Sequence, residues 1–217
     1  MSSNKAGQNM IYPMWSFEDN AASKGYMYIA GVDEAGRGPL AGPVVSAAVI
    51  LPRNFSCQGL ADSKQLTPLK REKFYSIIIE NAIAAATAIA TPEEIERINI
   101  LQASLLSMKR AVENLATSNR EIYPDYLLVD GIFKINISSI AQETIVHGDV
   151  KSVSIAAASI LAKVTRDNIM RELHLQYPCY GFDRHKGYPT KAHKDAIAIY
   201  GPSPVHRKTF KGCLPIK

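Results

Sequence analysis

The sequence predicts an α/β fold, a mixed β-sheet with helices on its faces. Two apolar, β-branched runs, 26–33 and 44–51, are joined by a short link rich in glycine and proline, which reads as an antiparallel strand pair. Helical and strand patterns then alternate to residue 200, an order that stacks helices against a sheet. Three of the strand-like segments end at or just before an aspartate, so the same sheet predicts where the chemistry sits.

Residues 1–25 are polar and patternless, a loose lead-in with a short helix around 15–20. Tyr26–Asp33 is the first strand and Val44–Leu51 the second, stopped by Pro52. The loop 53–65 carries Asp62-Ser63-Lys64. Thr67-Pro68 then supplies an N-cap and a proline at the first helical position, and Leu69, Phe74, Ile77 and Ile78 mark one face of the helix that follows. The alanine-rich segment 82–90 reads as a third strand. Thr91-Pro92-Glu93-Glu94 caps a helix that runs to about 116 with a kink near Asn99. Tyr126–Gly131 and Glu143–His147 are the remaining strands, Lys151–Tyr177 is a long helix closed by Pro178, and 191–200 is the last helix. Three units result: the lead-in 1–25, a catalytic domain 26–180, and a basic C-terminal extension 181–217 packed on it.

A chain of 217 residues, 47% hydrophobic and 21% charged, can bury the core of one α/β domain without covalent staples. Cys57, Cys179 and Cys213 contain no C-x-x-C pair, which argues against a disulfide framework or a zinc site and fits a reducing cytoplasm. No apolar stretch follows Lys5 and the longest apolar runs are interrupted by polar residues, so neither secretion nor a membrane span is expected. The net charge of +5 mildly favours a polyanionic partner. Beyond Asp183 the cations run from Arg184 to Lys217 against Asp195 alone, a pattern shared by solvated tails and phosphate-binding ones.

The chain is organised around Gly31-Val32-Asp33-Glu34-Ala35-Gly36-Arg37-Gly38-Pro39. Two carboxylates at the end of a buried strand cost free energy unless something pairs them. In a regular strand neighbours face opposite sides, so one of Asp33 and Glu34 is expected at a frayed end. If the strands are neighbours, Asp33, Glu34, Asp130 and Asp149 converge. Converging acids stay ionised when cations sit between them, and hard oxygen donors suit Mg²⁺ or Mn²⁺. Singly, each acid reads as a solvated strand end or a cap. As a set beside a Gly-Arg-Gly turn, they read as a metal site. The glycines do not form a dinucleotide loop, because Pro39 and Pro43 intervene and a strand, not a helix, follows. There is no Walker A sequence and no G-x-S-x-G elbow. His185, His193 and His206 read as contacts to phosphate or solvent.

The first block, 31–44, resembles the signature of bacterial type 2 ribonucleases H, the ribonuclease HII family. Asp62-Ser63-Lys64-Gln65-Leu66, Val129-Asp130-Gly131, Gly148-Asp149-x-Lys151-Ser152, the run 155–167 and His185-Lys186-Gly187-Tyr188-Pro189-Thr190 are similar to that family's other blocks, in order, over about 28–210. The resemblance implies a ribonuclease H-like mixed sheet flanked by helices, with a C-terminal helical extension. It implies a metal-dependent endonuclease, using two ions of Mn²⁺ or Mg²⁺. Such an enzyme cuts RNA in RNA–DNA hybrids and 5′ to single ribonucleotides in duplex DNA, leaving 5′-phosphate and 3′-hydroxyl ends. By position, Asp33, Glu34, Asp130 and Asp149 are the implied metal-binding carboxylates. Gly36, Arg37 and Gly38 are the implied reader of the ribose 2′-hydroxyl, Lys64 a phosphate contact, and Tyr188 the aromatic on the sugar. Lys163 and Arg166 add affinity for phosphates on this reading, or are plain helix surface. A monomer is expected, with the basic tail available to a sliding clamp. Two alternatives share these features: a junction resolvase on the same fold, and a non-catalytic nucleic-acid-binding module.

Overall fold

The structure is a computed structural model that describes residues 14–53, 55, 60, 66–118 and 122–213. Its elements are α1 (Ser16–Ser23), β1 (Ile29–Ala35), β2 (Val44–Ile50), α2 (Pro68–Asn81), β3 (Ala84–Ala90), α3 (Pro92–Ser118), β4 (Tyr126–Asp130), β5 (Ala141–Ile145), α4 (Val153–Gln176), α5 (Phe182–His185) and α6 (Lys191–Tyr200). The sheet order is β3-β2-β1-β4-β5. β2 runs antiparallel to β1 and β3, whereas β4 runs parallel to β1 and β5 parallel to β4. This is the mixed sheet with flanking helices that the sequence predicts.

Each face of the sheet has its own helix. Ala30 and Val32 of β1 and Leu127 and Val129 of β4 turn to α3, against Met108, Ala111, Val112 and Leu115. Ile29, Leu128 and Ala47 turn the other way, toward α4. Strand alternation sets this division. On the α4 side the approach is backbone to backbone. A methyl group added at Gly31 would lie 2.1 Å from the Ser154 carbonyl carbon and 2.3 Å from the Ile155 nitrogen. Ala156, Ala157 and Ala158 continue this close seam, all fully buried.

The helix starts follow local chemistry. Thr67 caps α2 through Lys70 N–H, and Ser152 caps α4 through Ile155 N–H. Thr91 and Glu94 cap α3 reciprocally, each accepting from the other's N–H at 3.3 and 3.0 Å. The kink expected near Asn99 is present: Asn99 has φ 69°, and its Oδ1 accepts from Leu101 and Gln102 N–H, restarting the helix. Among the described residues no helix is long and apolar enough to cross a membrane.

Three differences from the sequence reading matter. First, α1 is docked rather than loose. Glu18 is buried, and its Oε1 accepts from Ser152 Oγ, Ser154 Oγ and Ser154 N–H at the start of α4. The carboxylate thereby sits at the positive end of a 24-residue helix. Second, β1 keeps its pairing through Ala35 opposite Val45, so neither Asp33 nor Glu34 lies in a frayed end. Third, β5 stops at Ile145, and Asp149 follows in a 3₁₀ turn, Gly148–Val150, after His147 reverses the chain at φ 57°. The C-terminal segment packs on the body: His206 bridges to Ala41, and Leu40, Tyr180, Phe182, Ile197 and Cys213 share one buried cluster.

Gly31→Ala is expected to lower the thermal midpoint strongly, because overpacking here meets backbone rather than a movable side chain and costs about 1–3 kcal/mol or more. A near-native midpoint in a thermal melt would show that α4 can lift off β1 freely.

Candidate active site

The last paired positions of β1 and β4 are Val32 and Val129. One step beyond them, Asp33 and Asp130 stand level on adjacent parallel strands. Asp33 is 6% exposed. Its Oδ1 accepts from Glu34 N–H at 2.6 Å, and Ser159 on α4 hydrogen-bonds to the carboxylate. Burial pushes its pKa well above the ordinary carboxylate range, and the charges of Glu34 and Asp130 push it further. Glu34 faces the α3 side, next to an open cleft of about 220 Å³ lined also by Arg37, Ser104, Met108, Asp130 and Phe133. Burial raises Glu34 as well, opposed by Arg37, whose Nη1 lies 3.2 Å from Oε1. Asp130 Oδ1 accepts from Gly148 N–H at 2.7 Å, which ties the strand end to the turn that carries the buried Asp149.

The structure thus brings Asp33, Glu34 and Asp130 within electrostatic reach of one another, and places Asp149 on the neighbouring turn. Among the described residues no three acidic, histidine or cysteine side chains already close around one point. The donor set is nonetheless all oxygen, largely desolvated and like-charged. That is the chemistry a hard divalent cation relieves.

The glycine turn begins where β1 ends. Gly36 has φ +99°, and a Cβ there would sit 2.0 Å from Arg166 Nε, so both the conformation and the space require glycine. The side chain of Tyr188 reaches over Gly38, its Cε1 being 3.7 Å from where a Cβ would be, and it is 44% exposed. Lys163 sits on α4 with its Nζ 2.5 Å from Asp167 Oδ1. Lys64 lies outside the described residues.

Arg166 corrects the sequence reading. It is neither helix surface nor a phosphate grip: it is 1% exposed, and its guanidinium donates to the carbonyls of Pro43, Ala41 and Lys186. The histidines are corrected too. His193 and His206 are buried and bonded to each other at 3.0 Å. His206 Nδ1 accepts from Ser203 N–H, so its Nε2 donates to His193 Nε2, and His193 Nδ1 donates to the Tyr188 carbonyl. Burial holds both at a pKa of about 4, hence neutral, and this relay anchors the Tyr188 backbone from behind. Sequence reasoning missed Ser159 and Arg207 as parts of the site. A serine amid a buried alanine run was the available signal for Ser159.

A family model described as ribonuclease HII matches residues 30–213. Ribonuclease HII of Geobacter sulfurreducens is 54% identical over 199 residues, covering 92% of this chain and 89% of that protein. The chain belongs to the ribonuclease HII family. The ribonuclease H2 structure from Pyrococcus horikoshii covers 86% of this chain and 95% of its own, with 28% identity and a TM-score of 0.66. The complex of Bst ribonuclease HIII with Mn²⁺ shares the fold, with a TM-score of 0.69 at 20% identity over 89% of this chain and 70% of that one. As a ribonuclease HII, the chain is a hydrolase that acts on the RNA strand of RNA–DNA hybrids. Family membership sets aside both the junction resolvase and the non-catalytic module.

The raised Asp33 carries a stability consequence. Its ionised form is disfavoured in the fold relative to the unfolded chain, so at neutral pH the charge destabilises the metal-free protein. Asp33→Asn is expected to raise the thermal midpoint in EDTA at neutral pH, and the difference from wild type should shrink as pH falls through the raised pKa. Thermal melts of both proteins across pH check this, and a lower midpoint for the variant at neutral pH would contradict it.

Proposed function

We propose that the chain cuts the phosphodiester 5′ to ribonucleotides, both in hybrids and at single ribonucleotides embedded in duplex DNA. It leaves 5′-phosphate and 3′-hydroxyl ends. Asp33, Glu34, Asp130 and Asp149 would hold two divalent ions, Mn²⁺ or Mg²⁺. The observation that carries this reading is the level placement of Asp33 and Asp130 on adjacent parallel strands, directly before the glycine turn. When bound, a pair of such ions supplies an activated water and charge stabilisation for the leaving 3′-oxygen.

The chain's own residues divide the remaining work. Asp33 would hold the ions from the α4 side of the sheet end, Glu34 from the α3 side, Asp130 from the end of β4 beside the same cleft, and Asp149 from its turn. Ser159 holds the Asp33 carboxylate in place by hydrogen bonding. Arg37 lies beside Glu34 and keeps a positive charge near the incoming phosphate. The backbone of Gly36–Gly38 reads the 2′-hydroxyl, the group that separates RNA from DNA. Tyr188 lays its ring against the adjacent sugar. Lys163 and Lys64 contact flanking phosphates, which positions the duplex without reading its sequence. The protein works as a monomer in the cytoplasm. A sliding-clamp contact belongs to the end of the tail, and residues 214–217 lie outside the described residues.

The deciding experiment is incubation with a DNA duplex carrying one ribonucleotide, with Mn²⁺ or EDTA. A single nick immediately 5′ to the ribonucleotide, in Mn²⁺ alone and absent on all-DNA duplex and four-way junctions, is the expected result. An intact duplex in Mn²⁺ would overturn the proposal. Asp130→Asn should lower cleavage by more than the roughly 100-fold that losing a partner behind a metal ligand costs, with hybrid binding largely kept. Tyr188→Ala should lose about 1–3 kcal/mol of stacking, roughly five- to 150-fold in kcat/KM on the single-ribonucleotide duplex. Equal rates for wild type and Tyr188→Ala would remove Tyr188 from the site.

A further inference from the structure

Two arginines lie fully buried beneath the glycine turn, and their hydrogen bonds go to its backbone carbonyls. Arg207, 0% exposed, donates through Nη2 to Gly36 O at 2.6 Å and through Nη1 to Arg37 O at 2.9 Å and Pro39 O at 2.8 Å. Its Nε donates to Gly42 O at 3.0 Å, and its guanidinium rests 5.1 Å from the centre of the Phe210 ring. Arg166 takes the carbonyls of Ala41 and Pro43. Together the two guanidiniums hold six carbonyls between residues 36 and 43.

The consequence follows from peptide geometry. In a planar trans peptide, the carbonyl of one residue and the N–H of the next point in opposite directions. Turning the carbonyls of Gly36 and Arg37 inward to Arg207 therefore turns the N–H groups of Arg37 and Gly38 outward. Two other N–H groups of the turn are already used: Leu40 N–H donates to Gly187 O and Gly42 N–H to Val205 O. Among the described residues, the N–H groups of Arg37 and Gly38 meet no acceptor. The Tyr188 ring lies next to Gly38, its Cε1 3.7 Å from where a Cβ would be. Successive outward N–H groups make a concavity for an oxygen with lone pairs.

We propose that Arg207, seconded by Arg166, is the positioning residue of ribose recognition: it pulls the carbonyls of the turn inward so that the Arg37 and Gly38 amides face the ribose hydroxyl or the phosphate beside it. The inference rests on the reading of the turn as the ribose reader, and it assigns the device that gives the turn its polarity. Arginine suits the task because one planar fork can meet four carbonyls at fixed angles, which an ammonium cannot. Burial lowers both guanidiniums, to about 9 for Arg207 and about 10 for Arg166, and both remain charged at neutral pH.

The test uses the full chain and two duplexes, identical except for one ribonucleotide. Binding of each is measured in Ca²⁺, and cleavage of the ribonucleotide duplex in Mn²⁺. Wild type should prefer the ribonucleotide duplex and cut it; failure to do either overturns the proposed function itself and not this inference alone. Arg207→Met should lose the preference by about tenfold or more, the scale of two lost hydrogen bonds, while affinity for all-DNA duplex is kept. Arg207→Lys, which keeps the charge but not the fork, should fall between. Ile197→Ala, in the same buried C-terminal cluster, should lower the thermal midpoint and leave the preference unchanged. A folded Arg207→Met or Arg207→Lys with wild-type preference would overturn the proposal. If neither variant folds, wild type decides: the amide resonances of Arg37 and Gly38 should shift with the ribonucleotide duplex and not with all-DNA duplex. Equal shifts, or none, would overturn it.

Discussion

Everything at the site is referred to one contact, the backbone-to-backbone approach of α4 to β1 at Gly31. Because no side chain stands between them, the helix is fixed to the strand within the tolerance of packed backbone. That helix then serves the site along its whole length. Ser152 and Ser154 at its start bind Glu18, the Ile155 side chain packs against Gly148 beside Asp149, Ser159 reaches Asp33, and Arg166 reaches under the glycine turn. The spacing of these residues is helical, so one rigid rod registers four features on separate segments. A shift of α4 by a fraction of an ångström would move all of them together.

The site also gathers charge in two buried clusters of opposite sign. Asp33, Glu34 and Asp130 crowd at the sheet end, and each raises the cost of ionising its neighbours. A few residues on, Arg166 and Arg207 lie buried against carbonyl dipoles, and each charge disfavours the other. Direct pairing would relieve both clusters, yet Arg166 and Arg207 spend their donors on backbone carbonyls, while Arg37, half in solvent, bonds to Glu34. The arrangement costs stability and retains function. Acids neutralised by guanidinium would have no charge left for a cation, and guanidiniums tied to acids would release the turn.

Much of this was legible in the sequence because local rules wrote it. The Asn99 kink, the Thr67, Thr91 and Ser152 caps, and the strand runs ending in acid all depend on residues a few positions apart. The closeness of Asp33 and Asp130 required only that β1 and β4 pair in parallel. Arg166 and Arg207 were illegible for a definite reason. Burial is read from apolar pattern, and a cation buried against backbone carbonyls more than 120 positions away leaves none. His193 and His206 hide in the same way, since their partners are each other and the Tyr188 carbonyl. The frayed end expected at Asp33–Glu34 failed because the pairing with β2 runs on to Val45 and holds the pleat past both acids.

That unbroken pleat bears on how the acids and the glycine turn are joined. With Asp33 and Glu34 on opposite faces, a phosphate can meet both only at the end of the sheet, not on either face. The end of β1 is also where Gly36 begins the turn. Five residues of extended chain, from Asp33 to Gly38, span about 17 Å, so the glycine turn cannot drift further than that from Asp33. A loop tethered at one end alone could still swing through that radius. Here it cannot, because α4 holds the strand through Gly31 and the two arginines hold the turn through its carbonyls. On the proposed reading of the turn, specificity is built from below the surface that would touch the substrate: from the helix seam and the buried guanidiniums, which hold the turn's backbone in one orientation.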